Sequence, residues 1–251
     1  MSSFSPQQVK EYYNKMTASY LDIYGDVIQA FRPTDTVKLL DYIGRSAGIN
    51  WNLRVLDLGC GVGGPAIHFA KRWNANVDGI TISEVQLNEG NCKVEQAQLQ
   101  HKIKLHLGDY HQLENTVILD NQYDVVLFLE SLGHSNNIEL AIQQATQKLK
   151  PNGAIYIKDF YKKKVADAIE QQKIDKIISN INQYYSYSTL DLYELKNAIT
   201  NVGLEIEFIK PLDFMDDITV RYNFEKENQL DIFEGQNINP ADWLEIKCIK
   251  N

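Results

Sequence analysis

The sequence predicts an α/β protein: a seven-stranded, mostly parallel sheet with helices on both faces, N-terminal helices and helical cap insertions. Three observations carry this. From residue 53 onward, short apolar runs of strand type alternate with runs of helical period. "YDVVLFL" at 123–129 is apolar enough to be a central strand covered on both faces. "GCGVGG" at 59–64 is a glycine-rich turn between the first strand and the helix after it.

Residues 7–31 read as a helix rich in tyrosine (Tyr12, Tyr13, Tyr20, Tyr24), ended by Pro33. Val37, Leu40, Ile43 and Ala47 recur at helical spacing, and Gly48 closes that segment. The first buried strand covers 55–58. A helix over 66–73 turns Ile67, Ala70 and Trp73 inward, with Phe69 as a further candidate. Strand 77–82 follows. Ser83 opens the next helix, and Gln86 three residues later completes a capping box. Ile103, Leu105 and Leu107 alternate with polar residues as a third strand. After the fourth strand, 123–129, comes a helix near 137–149. "PNG" at 151–153 turns the chain into a fifth strand, 154–159. Val165, Ile169, Ile174, Ile177, Ile178 and Ile181 mark a long helix, and a helix over 189–202 stops at Gly203. Strand 204–209 is ended by Pro211, and 243–250 is the last strand. About thirty residues separate these two, where a hairpin needs 2–5, which points to a lid or binding segment.

The chain thus reads as one domain, 1–251, with a helical cap over 1–48 and lid or cap insertions at 161–188 and 212–240. Its 251 residues, 44% hydrophobic, suffice for a sizeable core. A net charge of −8 argues against nucleic acid as the main partner. Cys60, Cys92 and Cys248 are too few and too scattered for a disulfide framework or a zinc cluster, so a reducing, cytoplasmic setting is expected. The N-terminus shows no apolar signal core, and no run approaches the ~20 apolar residues of a membrane span. Nothing in the sequence sets the oligomeric state.

Gly59, Gly61, Gly63 and Gly64 let backbone approach a ligand at the mouth of the first strand. The spacing also fits G-x-G-x-x-G, which an NAD-dependent oxidoreductase would share. Asp57 discriminates: a carboxylate there suits a ligand with a positive end and repels a pyrophosphate. "DLGCGVG" resembles the first motif of the class I S-adenosylmethionine-dependent methyltransferases, a Rossmann-like family. That resemblance implies S-adenosylmethionine as cofactor, S-adenosylhomocysteine as product, and a loop (Gly59, Cys60, Gly61) beneath the methionine part. It places Asp109, in "LGDY" with Tyr110, at the adenine amino group. "LKPNGAIYIKDF" looks like the family's fifth-strand segment. Most members end the second strand with an acid for the ribose, whereas Thr81 stands there in this chain. "GITISEVQ" is similar instead to the sterol C-methyltransferases, tocopherol methyltransferases and cyclopropane synthases. By that likeness the ribose hydroxyls meet the region of Thr81 and Ile82 and the amide of Gln86. Helix capping alone is the competing role for Thr81 and Gln86.

"FLESLGHSNN" begins at the carboxyl end of strand four, where open α/β sheets place active sites. If the loop coils into a helical turn, Glu130 and His134 share one face, giving a carboxylate and a base in one pocket. The segment resembles sterol and geranyl diphosphate C-methyltransferases, tocopherol methyltransferases, and the acid and histidine of phosphoethanolamine N-methyltransferases. By likeness to the last, Tyr24 is the tyrosine expected to face cofactor or substrate. Helix capping by Glu130 and a plain surface histidine at 134 are the bland alternatives. His68, His101, His106 and His111 show no partner pattern and read as structural. "KKK" at 162–164 reads as a solvated helix start. Aromatic residues crowd the irregular segments (among them Phe214, Tyr222, Phe224, Phe233), as packing for most and as pocket walls for an apolar acceptor or a cation. The expected activity is methyl transfer to a small hydrophobic, prenyl- or terpenoid-like molecule at carbon. N- or O-methylation of a small amine, phenol or sugar-bearing metabolite is the alternative, and NAD-linked oxidoreduction a remote one.

Overall fold

The computed structural model describes residues 4–120 and 122–251; the first three residues of the predicted cap segment lie outside it. Seven strands form one sheet, in order β3-β2-β1-β4-β5-β7-β6. They are β1 (Arg54–Leu58), β2 (Asn76–Thr81), β3 (Ile103–Leu107), β4 (Tyr123–Leu129), β5 (Leu149–Lys162), β6 (Leu204–Pro211) and β7 (Ala241–Lys250). β7 runs antiparallel between β5 and β6, and the other pairings are parallel. The chain reverses its winding between β1 and β4, so their carboxyl ends leave a crevice between diverging connections.

α2 (Thr36–Ala47), α3 (Gly64–Trp73) and α4 (Glu84–Gln96) belong to the first half. α5 (Ile138–Lys148) and α7 (Leu192–Asn201) cover the other part of the sheet. The core divides accordingly. Leu39, Ile43, Val55, Phe69 and Leu127 pack in one cluster, and Leu56, Phe128, Ile142, Ile157 and Leu195 in another. β4 contributes to both, as its uninterrupted apolar sequence requires.

Three helices remain for the cap: α1 (Pro6–Tyr24), α6 (Ala168–Tyr185) and α8 (Ile218–Glu227). α1 is shorter than the sequence suggested. Gly25, at φ 65°, caps it at Tyr24, and residues 27–35 run on as an irregular strap. The predicted 1–48 cap therefore divides: α1 and the strap line the cavities at the strand ends, while α2 is part of the core. β5 begins at Leu149, and "PNG" lies within it as a register break beside β4 rather than as a turn before it. Phe69 and Ala70 are buried on α3, with Ile67 and Trp73 only partly so, and Leu107 and Ile169 are exposed. Val165 precedes α6. Ser83 does cap α4, accepting from the Gln86 amide at 3.2 Å, but the Gln86 side chain does not return the bond. It turns to Thr81, whose hydroxyl donates to Gln86 Oε1 at 2.8 Å. Among the described residues no helix is long and apolar enough to cross a membrane.

Candidate active site: two cavities that meet at Tyr13, Glu130 and His134

The glycine loop leaves β1 with Gly59 at φ 88° and Gly61 at φ 55°. A Cβ on Gly59 would sit 2.4 Å from Ser131 Cβ, so the loop after β4 closes directly onto it. Above the loop is a cavity of about 80 Å³. Gly59, Gly61, Thr81, Ile82 and Gln86 line one side of it, and Asp109, Tyr110 and His111 another. Asp57 and Cys60 line a smaller adjoining hollow of about 30 Å³ with Gly59 and Gly61. Every residue expected at a cofactor is therefore in one of two adjoining walls.

The polar groups here are oriented by neighbours. Asp109 Oδ1 accepts from the His111 amide at 2.9 Å and lies 2.6 Å from His111 Nδ1. Burial works against its charge, but these bonds from His111 hold its carboxyl below the ordinary range. His111 Nε2 lies 2.7 Å from Ser135 Oγ. His111, which reads from the sequence as a structural histidine without a partner, is buried, braces Asp109 and lines the cavity. His68 and His106 pair with Asp41 and Asp78, away from both cavities. Tyr110 donates to the Ser131 carbonyl at 3.0 Å. With its carbonyl oxygen taken by Thr81, Gln86 keeps its NH2 as the group free to donate.

Asp57 differs from all of these. It is 1% exposed, and neither carboxylate oxygen has a partner. Burial alone pushes its pKa up to about 7. A native protein seldom leaves such a group unsatisfied, so the hollow fits a ligand that brings positive charge or donors.

The second cavity, about 330 Å³, lies between the strand ends and the cap. Its walls are largely aromatic: Tyr20 and Tyr24 from α1, Tyr185 at the end of α6 and Tyr187 just after it, Phe160 and Trp243 from β5 and β7, with Arg221 and Glu225 of α8 as charged members. Tyr24 stands where Tyr20 and Phe224 pack edge-on against it, in the wall and not at the join. Tyr184 and Tyr222 are exposed. Tyr13, Glu130, His134 and Ile28 line both cavities.

At that join the chemistry is specific. His134 Nδ1 lies 2.9 Å from the Ser186 carbonyl, which can only accept, so Nδ1 carries the proton. Nε2 is then an acceptor, and the Tyr13 hydroxyl donates to it at 2.7 Å. Burial pushes the imidazole down to about 4, opposed in part by the Ser186 bond. Burial also raises the Tyr13 hydroxyl, so both groups are neutral near pH 7. Tyr13 was visible in the sequence only as one of several helix tyrosines. Its position beside His134 depends on a contact across 121 residues.

Glu130 and His134 do not share a helical turn. Residues 132–134 form a short 3-10 turn, and Glu130 precedes it with left-handed backbone, φ 54°. Its carboxylate caps no helix. Oε2 accepts from the Ala30 amide at 2.6 Å, and Oε1 accepts from Phe31 and from the Lys158 ammonium. Lys158, fully buried, also donates to the Phe31 carbonyl at 2.7 Å. Next to it, Asp159 accepts from the Tyr187 hydroxyl and the Phe160 amide, and burial raises its pKa to about 7. The signal for both residues was present in "IYIKDF": two charges at the end of an otherwise apolar strand require partners if that strand is buried. The three lysines at 162–164 are paired with Asp175, Asp242 and Asp191, and Lys162 is still in β5.

A doubly wound sheet with a glycine loop, a partnerless carboxylate and a second cavity across the strand ends is the architecture of the α/β domains that bind nucleoside cofactors. Residues 49–203 match the family model described as a methyltransferase domain, and the chain belongs to that family. It is 26% identical over 224 residues to a sterol 24-C-methyltransferase of Candida albicans, a match covering 84% of this chain and 57% of that protein. The chain spans about half the length of the curated relatives it matches. Among solved structures it superposes on the [4+2]-cyclase SpnF with TM-score 0.81 and 17% identity, covering 100% of this chain and 97% of that one. It superposes on geranyl diphosphate C-methyltransferase from Streptomyces coelicolor A3(2) with TM-score 0.78 and 15% identity, covering 98% and 97%. At these identities the structural likeness speaks for the fold.

Proposed function

We propose that this protein is an S-adenosylmethionine-dependent methyltransferase acting at carbon on a small hydrophobic, prenyl- or terpenoid-like molecule. The observation that carries this is the join: Tyr13, Glu130 and His134 line both the glycine-loop cavity and the aromatic one. The sterol and geranyl diphosphate C-methyltransferases among its relatives and structural neighbours support carbon as the acceptor. S-adenosylmethionine supplies an electrophilic methyl group on a sulfonium.

Asp57 meets the cationic end of the cofactor. Thr81, through Gln86, and the Gln86 amide address the ribose, and Asp109, braced by His111, the adenine. Tyr110 and Ile82 close the wall of that cavity. The aromatic faces of Tyr20, Tyr24, Phe160, Tyr185 and Trp243 exclude water and favour a cation that develops on the acceptor. Glu130, already matched by Lys158, holds the 27–35 strap through Ala30 and Phe31 and keeps a carboxylate facing both cavities.

Proton removal falls to the Tyr13–His134 pair. As the C–H bond next to the cationic carbon breaks and its electrons form a double bond, the proton goes to Tyr13 Oη. The Tyr13 proton passes to His134 Nε2. A histidine held near pKa 4 is too weak to deprotonate a neutral phenol or alcohol by itself; it takes the Tyr13 proton because, in the same step, Tyr13 Oη gains one from the strongly acidic C–H beside the cation. This favours carbon over oxygen as the acceptor. Cysteines that are all free fit a reducing, cytoplasmic setting.

The test is incubation with methyl-labelled S-adenosylmethionine and a panel of prenyl alcohols, prenyl diphosphates, sterols, phenols and amines, read by mass spectrometry. Label in a C–CH3 group of an isoprenoid supports the proposal. Label found only on nitrogen or oxygen overturns the acceptor assignment. No melting shift with saturating S-adenosylhomocysteine overturns the cofactor.

A further inference from the structure

The hollow of about 30 Å³ beside Asp57 has a second unsatisfied wall. Gln29 lines it, is 3% exposed, and neither its Oε1 nor its Nε2 has a partner. Together with the two Asp57 oxygens, four buried polar atoms meet around a space the size of one water or one ammonium group. Buried donors and acceptors in native proteins are nearly always paired, so four unpartnered ones gathered at one hollow point to a ligand that pairs them.

Gln29 is not there by slack. The strap that carries it is fastened on both sides. The Arg32 guanidinium donates to the Tyr24 and Val27 carbonyls at 2.9 and 2.7 Å. Asp26 pairs with Lys93 of α4 at 2.8 Å. The Asp26 carbonyl lies so near Gly64 that a Cβ there would come within 2.0 Å of it. The strap is thus pressed against the start of α3, beside the glycine loop, and the Gln29 amide is held at the hollow.

An anion is disfavoured there by Asp57. A purely apolar group would leave all four atoms unsatisfied. An α-amino acid end fits: its ammonium offers three N–H donors, and its carboxylate accepts. We propose that Gln29 is a cofactor-recognising residue. With Asp57 it holds the α-amino acid end of S-adenosylmethionine: Asp57 and Gln29 Oε1 accept from the ammonium, and Gln29 Nε2 donates to the carboxylate. This rests on the methyltransferase reading and adds to it the residue that tells an amino acid thioether from a plain nucleoside thioether.

The experiment is calorimetric binding, independent of turnover. The wild type, Gln29→Met and Gln29→Asn are titrated with S-adenosylhomocysteine, with its analogue lacking the α-amino group, and with 5′-methylthioadenosine, which lacks the whole amino acid end. The wild type is expected to prefer S-adenosylhomocysteine over the deaminated analogue by about ten- to a hundredfold, the range of one or two hydrogen bonds to a charged group. Gln29→Met should lower that preference by about several-fold, Asp57 still accepting from the ammonium, Gln29→Asn should lower it less, and 5′-methylthioadenosine should bind all three proteins within about twofold. An unchanged preference in Gln29→Met overturns the proposal and leaves the hollow a buried-water site. Loss of 5′-methylthioadenosine binding in both variants overturns it too, because Gln29 is then a structural clamp. A wild type that binds none of the three probes overturns the methyltransferase reading itself.

Discussion

Lys158 is the residue the interior can least hold alone. It is fully buried in β5, and its charge is answered by Glu130 and the Phe31 carbonyl. Removing one partner of such a pair costs about 3–5 kcal/mol, because the other charge stays buried, whereas replacing both is far milder. Lys158→Met is therefore expected to lose stability on that scale in urea unfolding, and Lys158→Met with Glu130→Gln to recover most of it. A double variant as weak as the single one would show that the pair is not the cause. Tyr13 and His134 predict a rate effect. Tyr13→Phe removes the hydroxyl that donates to His134 Nε2 and should lower turnover by about 10²–10⁴, with S-adenosylhomocysteine still raising the melting point. The titrating groups act in opposite senses. His134 falls from 6.5 to about 4 in the fold, so between those values the unfolded chain binds a proton that the native one does not. Its share of stability is lost as pH falls through that window. Asp57 rises from 3.8 to about 7, so the native state holds a proton that the unfolded chain has released. Its share is present below pH 4 and lost as pH rises through 7. Asp57→Asn should match the wild type near pH 4 and exceed it at pH 8 in denaturation without cofactor, while losing cofactor affinity.

Among the elements, the 27–35 strap depends most on its neighbours. It has no regular structure, and it lies where it does because Arg32, Lys93 and Gly64 hold it and Glu130 accepts from its amides. Gly64→Ala puts a methyl group against the Asp26 carbonyl, and backbone cannot yield as a side chain would. Overpacking of that kind costs about 1–3 kcal/mol. The melting point should drop by several degrees, and the response to S-adenosylhomocysteine should shrink, because the displaced strap carries Ile28 and Gln29 away from the cofactor walls. A lowered melting point with full cofactor affinity would place the strain elsewhere. The strap also shows where sequence reading stops. Strands were legible because burial on one or two faces imposes a period on the residues, as in β4, and the glycine loop because φ near 88° at Gly59 admits few other residues. Asp57, Thr81, Gln86 and Asp109 were legible by likeness to a motif. Gln29 and Tyr13 were not, since each owes its place to a partner distant in sequence, and Lys158 showed only as a charge inside an apolar strand whose partner the sequence does not name. The helix assigned through residue 31 failed for a local reason: Gly25 takes a positive φ of 65° that ends the helix and that no periodicity reveals.

At the scale of the molecule, the sheet is a fixed floor and the cap a cover made from three separate stretches of chain. α1 supplies Pro6, Val9 and Tyr13 to the cofactor cavity and Tyr20 and Tyr24 to the aromatic one. It is tied to the floor by few bonds. One is the Lys10–Glu84 surface pair, worth about 0–1 kcal/mol. Another is Asn14 Oδ1, which accepts from Ser83 Oγ at 2.7 Å, and a third is Tyr13 to His134. Among the described residues the two apolar clusters of the sheet include none from α1; of its buried residues, Tyr20 and Tyr24 pack with Phe224 of α8. An element fastened this lightly opens more easily than the strands beneath it. A ligand filling the cofactor cavity adds contacts to α1 and to nothing on α7, which packs on the far part of the sheet. S-adenosylhomocysteine should therefore slow amide hydrogen exchange over residues 6–24 by about tenfold or more while leaving 192–201 unchanged. The aromatic cavity, proposed to take the acceptor, shares α1, so a bound cofactor should also complete its wall and the acceptor should bind more tightly after the cofactor than before it. Uniform slowing across both helices, or protection at 192–201 without protection at 6–24, would mean that α1 is not the moving cover and that entry to both cavities lies elsewhere.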